Sequence, residues 1–279
     1  MKKTMAKDKN DTTNEVHIVT VERGKAKFHI LGTTPMLHNC LSSKARQELL
    51  LPSGRKTDAD KKSTLKHSPL DEFKSSIYFN NKAGPTLVQH LTSAFRGAMR
   101  SAALDLPGVS KAEIGRLMWV EGERVDIYGV PQIDMRIVRQ AGMNRTPDVR
   151  SRCIMAEWAC SITVSFTMPQ LRVQSVANLL AAAGMYIGVG DGRNEKGAFS
   201  FGSFAIVDEN DADYLRIVAN GGRAVQEAAM ENPESYNEET DELLTWFNGA
   251  VKTHRSFAPL VPSKKNGKSK TASTEVLES

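Results

Sequence analysis

Apolar and polar positions alternate most sharply between Glu157 and Thr167. Trp158, Cys160, Ile162, Val164 and Phe166 interleave there with Ala159, Ser161, Thr163, Ser165 and Thr167. Successive side chains of a strand point to opposite faces, so this period of two predicts a strand with one core face and one small, polar face. Gly24 to Leu31 repeats the pattern, with Ala26, Phe28 and Ile30 set against Lys25, Lys27 and His29; Val16, Ile18 and Thr20 before it predict an edge strand. Leu117–Val120 and Val125–Tyr128 predict a short hairpin turning at Glu121, Gly122 and Glu123. A helical period predicts a helix over Leu87–Leu106, with a stripe of Leu91, Phe95 and Ala102, close packing at Ala94, Gly97 and Ala98, and a stop at Pro107 and Gly108. Leu171–Ala183 predicts a second helix, with Leu171, Val173, Val176, Leu179, Leu180 and Ala183 on one face and Gly184 as its stop. Phe199, Phe201, Phe204 and Ile206 then read as a strand. Phe199 and Phe201 share a face, with core packing as the plain reading and base stacking as the rival one. After Asp208 the chain turns helical and acidic. Leu243, Leu244, Phe247 and Val251 form a stripe there, with Glu234, Glu238, Glu239, Asp241 and Glu242 toward its N-terminal side, where the helix dipole favours them.

In order, these elements are strand, insertion, helix, strand pair, arginine-rich insertion, strand, helix, glycine-rich loop and strand. That succession is the βαββαβ pattern of a ferredoxin-like or RRM-like core, an α+β class with both helices on one sheet face and the other face left available. The expected organisation is a disordered basic N-terminus over 1–14, an RRM-like core over 15–208 with insertions at 33–86 and 131–156, a helical segment over 209–258, and a disordered basic tail over 259–279. Within the first insertion, the lysine-rich stretch Arg55 to Lys66 is expected to be mobile.

Length, charge and cysteine usage narrow the class. A chain of 279 residues, 40% hydrophobic, holds one large domain, and a net charge of +5 with a pI near 9.0 is mildly basic. The N-terminal lysines precede no apolar run, so no signal peptide is expected, and no stretch reads as a membrane span. Cys40, Cys153 and Cys160 form no paired motif, which suits a reducing cytoplasm. The histidines are scattered without metal-ligand spacing, so neither a metal nor a cofactor is expected.

Candidate chemistry concentrates in two stretches. Gly184 to Val207 crowds glycines around Arg193 and Lys196, so Gly188, Gly190 and Gly192 offer bare backbone beside two cations. The order helix, loop, strand excludes a dinucleotide fingerprint, and Lys196 is followed by Gly197 rather than by the Ser or Thr of a Walker motif. Between Pro131 and Arg152 lie Arg136, Arg139, Arg145, Arg150 and Arg152, with Asp134 and Asp148 as the only acids. An irregular segment so rich in arginine is expected to face water or a polyanion, since local ion-pair partners are scarce. Arg96 and Arg100, four residues apart, share one helical face.

Two of these motifs resemble the RAMP superfamily, the RRM-like backbone proteins of CRISPR effector complexes. Pro85, Ser93, Arg96, Gly97, Arg100 and Ser101 match its helix motif, and Gly188 to Gly202 resembles its glycine-rich loop. Pro131 to Arg152 is similar to the thumb-like insertion with which filament-forming members grip a strand. The resemblance spans roughly residues 24 to 207. It implies a non-catalytic protein that binds single-stranded RNA or DNA and assembles as a homo-oligomer or filament along it, with no membrane partner. The implied binding residues are Arg96, Arg100, Arg136, Arg139, Arg145, Arg150, Arg152, Gly188, Gly190, Gly192, Arg193 and Lys196. RNA-cleaving members carry an aspartate in the loop after the first strand. Gly32 to His38 has none, leaving His38 as the sole candidate for a metal-independent endoribonuclease. The same binding chemistry would serve a phage strand-annealing or recombination protein. The stripe of Leu243, Phe247 and Val251 would instead suit an interaction protein that docks on a host complex.

Overall fold

Two antiparallel sheets and seven helices form an α+β fold among the described residues. This computed structural model describes residues 20–41, 46, 50, 66–108, 110–139, 146–195 and 199–257. The chain enters through β1 (Glu22–Gly32) and β2 (Met36–Leu37), followed by α1 (Pro69–Ser75) and β3 (Tyr78–Phe79). β4 (Val88–Leu91) leads directly into α2 (Thr92–Ala102), and α3 (Lys111–Leu117) into β5 (Met118–Val120) and β6 (Arg124–Tyr128). A long hairpin of β7 (Pro131–Arg139) and β8 (Pro147–Met155) precedes β9 (Ala159–Met168). Next come α4 (Val173–Ala182), a π-helical turn (Ala183–Ile187), the glycine-rich loop and β10 (Phe204–Val207). α5 (Ala212–Asn220), α6 (Arg223–Glu231) and α7 (Glu238–Phe257) follow.

The larger sheet has seven strands in the order β10-β1-β9-β6-β4-β3, with β5 also on β9. β1 and β9 pair from Glu22↔Met168 to Leu31↔Ala159. Their alternation places Phe28, Ile30, Trp158, Cys160, Ile162, Val164 and Phe166 in the core, as the pattern predicts. Phe95, Met99 and Ala102 of α2 and Val176, Leu179 and Leu180 of α4 join the same core cluster. The opposite face is covered at one end only, by α5. Tyr214 and Ile217 of α5 cluster with Ala159, Leu31 and Tyr128, and the Tyr214 hydroxyl lies 2.7 Å from Ser161 Oγ.

Several expectations are corrected. Leu87–Leu106 is not one helix: its first turn is β4, in which Val88 and His90 are buried in strand alternation, and the helix begins at Thr92. So short an apolar run fits both periods, and pairing with β6 through Gln89↔Asp126 and Leu91↔Arg124 decides it. Gly97 packs nothing close, its Cβ position facing open space. β5 and β6 do not make a hairpin; both pair with β9, and Glu121, Gly122 and Glu123 bulge out between them. Gly184 does not stop the second helix. A Cβ there would lie 2.1 Å from the Phe204 carbonyl, so this glycine permits contact with β10, and the chain leaves the helix at Gly188 with φ +75°. Strand β10 starts only at Phe204, so Phe199 and Phe201 lie outside it. The described residues between Pro131 and Arg152 are not irregular, for Pro131–Arg139 and Pro147–Arg152 lie in a ladder that runs from Pro131↔Met155 to Arg139↔Pro147.

The 33–86 insertion contributes β2, α1 and β3 to the fold. Thr20 is exposed and outside any strand. The expectations for 1–14, 51–65 and 259–279, and those for Val16, Ile18, Arg145 and Lys196, lie outside the described residues. Cys40, Cys153 and Cys160 are buried free thiols. Among the described residues, no helix is long and apolar enough to cross a membrane.

Candidate functional site

The arginine-rich hairpin belongs to a second sheet, in the order β2-β8-β7. Both of its edges are covered. Along β7, the Ile133 amide donates to the Glu234 carbonyl at 2.9 Å, and the Met135 amide to Thr240 Oγ1 at 3.2 Å. Along β8, the Ser151 amide donates to Glu72 at 3.2 Å, and the Cys153 amide to Ser76 Oγ at 2.8 Å. These bonds satisfy four outward amides of the hairpin, and its faces carry the charged side chains.

Register determines which arginines meet. Asp134 lies opposite Arg152, and Arg136 opposite Arg150, so these four side chains share one face. Arg139 lies opposite Pro147, on the other face, and is exposed. The expected shortage of ion-pair partners is corrected here. Asp134 accepts from Arg136 through both oxygens, with Nε at 2.6 Å. Asp148 takes Arg150 at 3.6 Å and Lys66 at 3.0 Å. Arg152 reaches across to Asp191 of the glycine-rich loop, a partner distant in sequence. Burial holds the Arg152 guanidinium below the usual arginine range, while Asp191 and Asp134 oppose that shift. The Arg150 side chain is half exposed, whereas that of Arg136 is only 14% exposed.

The glycine-rich loop lies against this face. Its amides largely serve the fold: Val189 donates to Gly202, Asp191 to Leu37, and Gly202 to Pro35. Gly188 is buried beside the Gly202 carbonyl, and Gly190, half-buried, lies beside that of Leu37. Gly192 (φ +65°) lies beneath an aromatic pair, where a Cβ would come within 3.0 Å of the Phe201 ring and 3.3 Å of the Phe199 ring. The two rings stack at 5.3 Å with 17° between their planes. The Arg136 guanidinium lies 4.7 Å from the centroid of Phe199 and 5.0 Å from that of Phe201. Phe199 is 39% exposed, so the core reading of this pair is corrected: the rings form a surface stack. Arg193 donates to the Gly190 carbonyl at 3.0 Å and pairs with Glu195 at 3.3 Å; Glu195 in turn accepts from Ser101 of α2 at 2.8 Å.

The remaining predicted residues form a separate group. Arg96 donates to the Gly115 carbonyl of α3 at 2.5 Å, and the Arg100 side chain packs over the same glycine. Both have a buried Nε without a hydrogen-bond partner. His38 lies inside the fold. It is fully buried, with its ring centroid 5.7 Å from that of His90, and neither of its nitrogens finds a partner. Burial, with His90 alongside, lowers the His38 imidazole to about 3. Burial, helped by Arg193, lowers His90 to about 4. Both are neutral at physiological pH and hidden from any substrate.

One basic strip escapes the motif-based selection. Arg23, Lys25 and Lys27 alternate along the exposed face of β1, with the Arg23 guanidinium 4.4 Å from the Trp119 ring centroid. The alternation is visible in sequence, but the partner on β5 is not. The chain matches no protein-family model and no curated protein sequence.

Proposed function

We propose that this is a non-catalytic, cytoplasmic protein that binds single-stranded RNA or DNA and assembles as a multimer along it. The observation that carries the reading is the hairpin face on which Arg136, Arg150 and Arg152 converge beside the surface stack of Phe199 and Phe201. Guanidinium groups contact phosphates without regard to sequence, and aromatic rings accept any base, so together they suit a flexible single strand better than a duplex. The strand order β10-β1-β9-β6, with α2 between β1 and β6 in the chain and α4 between β9 and β10, supports a ferredoxin-like unit within the sheet. In that reading the β7–β8 hairpin is the thumb. The glycines shape the loop, while phosphate contact falls to side chains. The burial of His38 argues against a ribonuclease that depends on it.

The test is fluorescence anisotropy of labelled single-stranded RNA, single-stranded DNA and duplex across a salt series, with electron microscopy of the same mixtures for assemblies. Single strands are expected to bind more tightly than duplex. The combined substitutions Arg136→Gln and Arg150→Glu, both on that face, are expected to weaken binding and flatten its salt dependence by about 0.7 in log–log slope per lost contact. Unchanged binding by that variant overturns the assignment of the hairpin.

A further inference from the structure

A small cavity lies beside the aromatic stack. It has a volume of about 180 Å³ and is lined by Asp134, Arg136, Ile137, Phe199, Asn237 and Glu239. That is well under the roughly 300–1,000 Å³ of sites for drug-sized ligands, and suits a single heterocycle. Its walls are chemically unlike one another. Phe199 supplies a flat apolar surface backed by Phe201, with Gly192 beneath both rings. Arg136 stands at the rings, fixed in place by Asp134. Glu239 and Asn237 come from the start of α7, where the Asn237 carbonyl oxygen accepts from the Thr240 amide at 3.0 Å. That bond leaves the side-chain NH₂ of Asn237 as a donor.

We infer that this cavity takes one unstacked nucleobase of the bound strand and favours a base with an exocyclic amino group. The inference rests on the single-strand-binding reading above. Stacking on Phe199 accepts any base, so the preference comes from the rim. The Glu239 carboxylate accepts from the amino group of cytosine, adenine or guanine, whereas uracil and thymine present a carbonyl there. Arg150, across the ladder from Arg136 and half exposed, stands where the flanking phosphate would pass. A protein that grips the backbone without sequence preference thereby gains a modest composition preference from one position.

The test compares labelled oligo(C) and oligo(U) RNA of equal length, by anisotropy at fixed salt, on the full chain. Wild type is expected to bind oligo(C) more tightly. Phe199→Ala is expected to weaken oligo(C) binding by roughly 5- to 150-fold, the range that loss of one base–aromatic stack produces, with Phe199→Trp retaining it. Glu239→Gln is expected to reduce the preference for C over U while leaving the salt slope unchanged. Both side chains are exposed, and thermal unfolding of each variant verifies that it is folded. Equal affinity of wild type for C and U, or an unaffected Phe199→Ala, overturns the subsite and leaves single-strand binding standing. Failure of wild type to bind either oligomer at low salt overturns the single-strand reading itself, and the subsite with it.

Discussion

Arg152 of β8 and Asp191 of the glycine-rich loop form an ion pair that ties the hairpin to the loop across the molecule. The arginine side chain is 10% exposed and the aspartate 38%, so the pair is buried on one side and wet on the other. Asn39 also donates to Asp191, at 3.2 Å. This contact presses the arginine face of the hairpin against the loop that carries the aromatic stack.

Removing one partner is therefore worse than replacing the buried one. Asp191→Ala strands a mostly buried guanidinium and is expected to cost about 2 kcal/mol, less than the roughly 3–5 of a fully enclosed pair because Asp191 is partly solvated. Arg152→Met removes the charge that needs a partner and is expected to cost less. Urea denaturation of both variants checks the order, and a larger loss for Arg152→Met contradicts it.

Gln226 of α6 is the second anchor, and it is fully buried. Its side-chain NH₂ donates to the carbonyls of Ile127 at 2.8 Å, Gly129 at 3.1 Å and Gly221 at 2.9 Å. Its carbonyl oxygen accepts from the amides of Leu87 at 2.8 Å and Val88 at 2.9 Å. One side chain thus satisfies backbone groups of β4, β6 and the α5–α6 link. Gln226→Ala is expected to destabilise the fold by about 3–5 kcal/mol, because several buried polar groups lose their partner together. Chemical denaturation reads this out, and a loss under about 1 kcal/mol would show that water replaces the amide.

The paired histidines give the fold an acid-sensitive core. His38 and His90 titrate near 6.5 when unfolded but only at about 3 and about 4 when folded. Between those values and 6.5 the unfolded chain binds more protons, so stability rises with pH across that window. It is fully present above 6.5 and falls as pH drops below it, by about 1.4 kcal/mol per pH unit for each histidine. Tyr78, Phe95 and Arg193 surround the pair, and none of them offers a carboxylate to stabilise an imidazolium. Thermal melts from pH 8 down to about pH 5 are expected to show a flat plateau and then a decline below 6.5. A His38→Leu variant is expected to decline less steeply. A wild-type midpoint that stays level through this range refutes the burial argument.

The strands β1 and β9 and the helix α4 are legible in the chain because each carries a long periodic run, and a period of two or 3.6 held over many residues admits only one reading. Short runs are not. Leu87–Leu91 fits both periods, and Leu117–Tyr128 looks like a hairpin until β9 is present to pair with both halves. The same limit governs the candidate site. That Arg136, Arg150 and Arg152 are cationic and close in sequence is plain from the chain, but their shared face depends on ladder register, and one residue of slip would turn them to the other side. Asp191 as the partner of Arg152, Arg136 against the Phe199–Phe201 stack, and Gln226 beneath two strands all join residues far apart in the chain. Local pattern encodes propensity and amphipathic face. Which faces meet, and which charges are neutralised when they do, is decided by long-range packing and burial, which come into being only when the chain closes on itself.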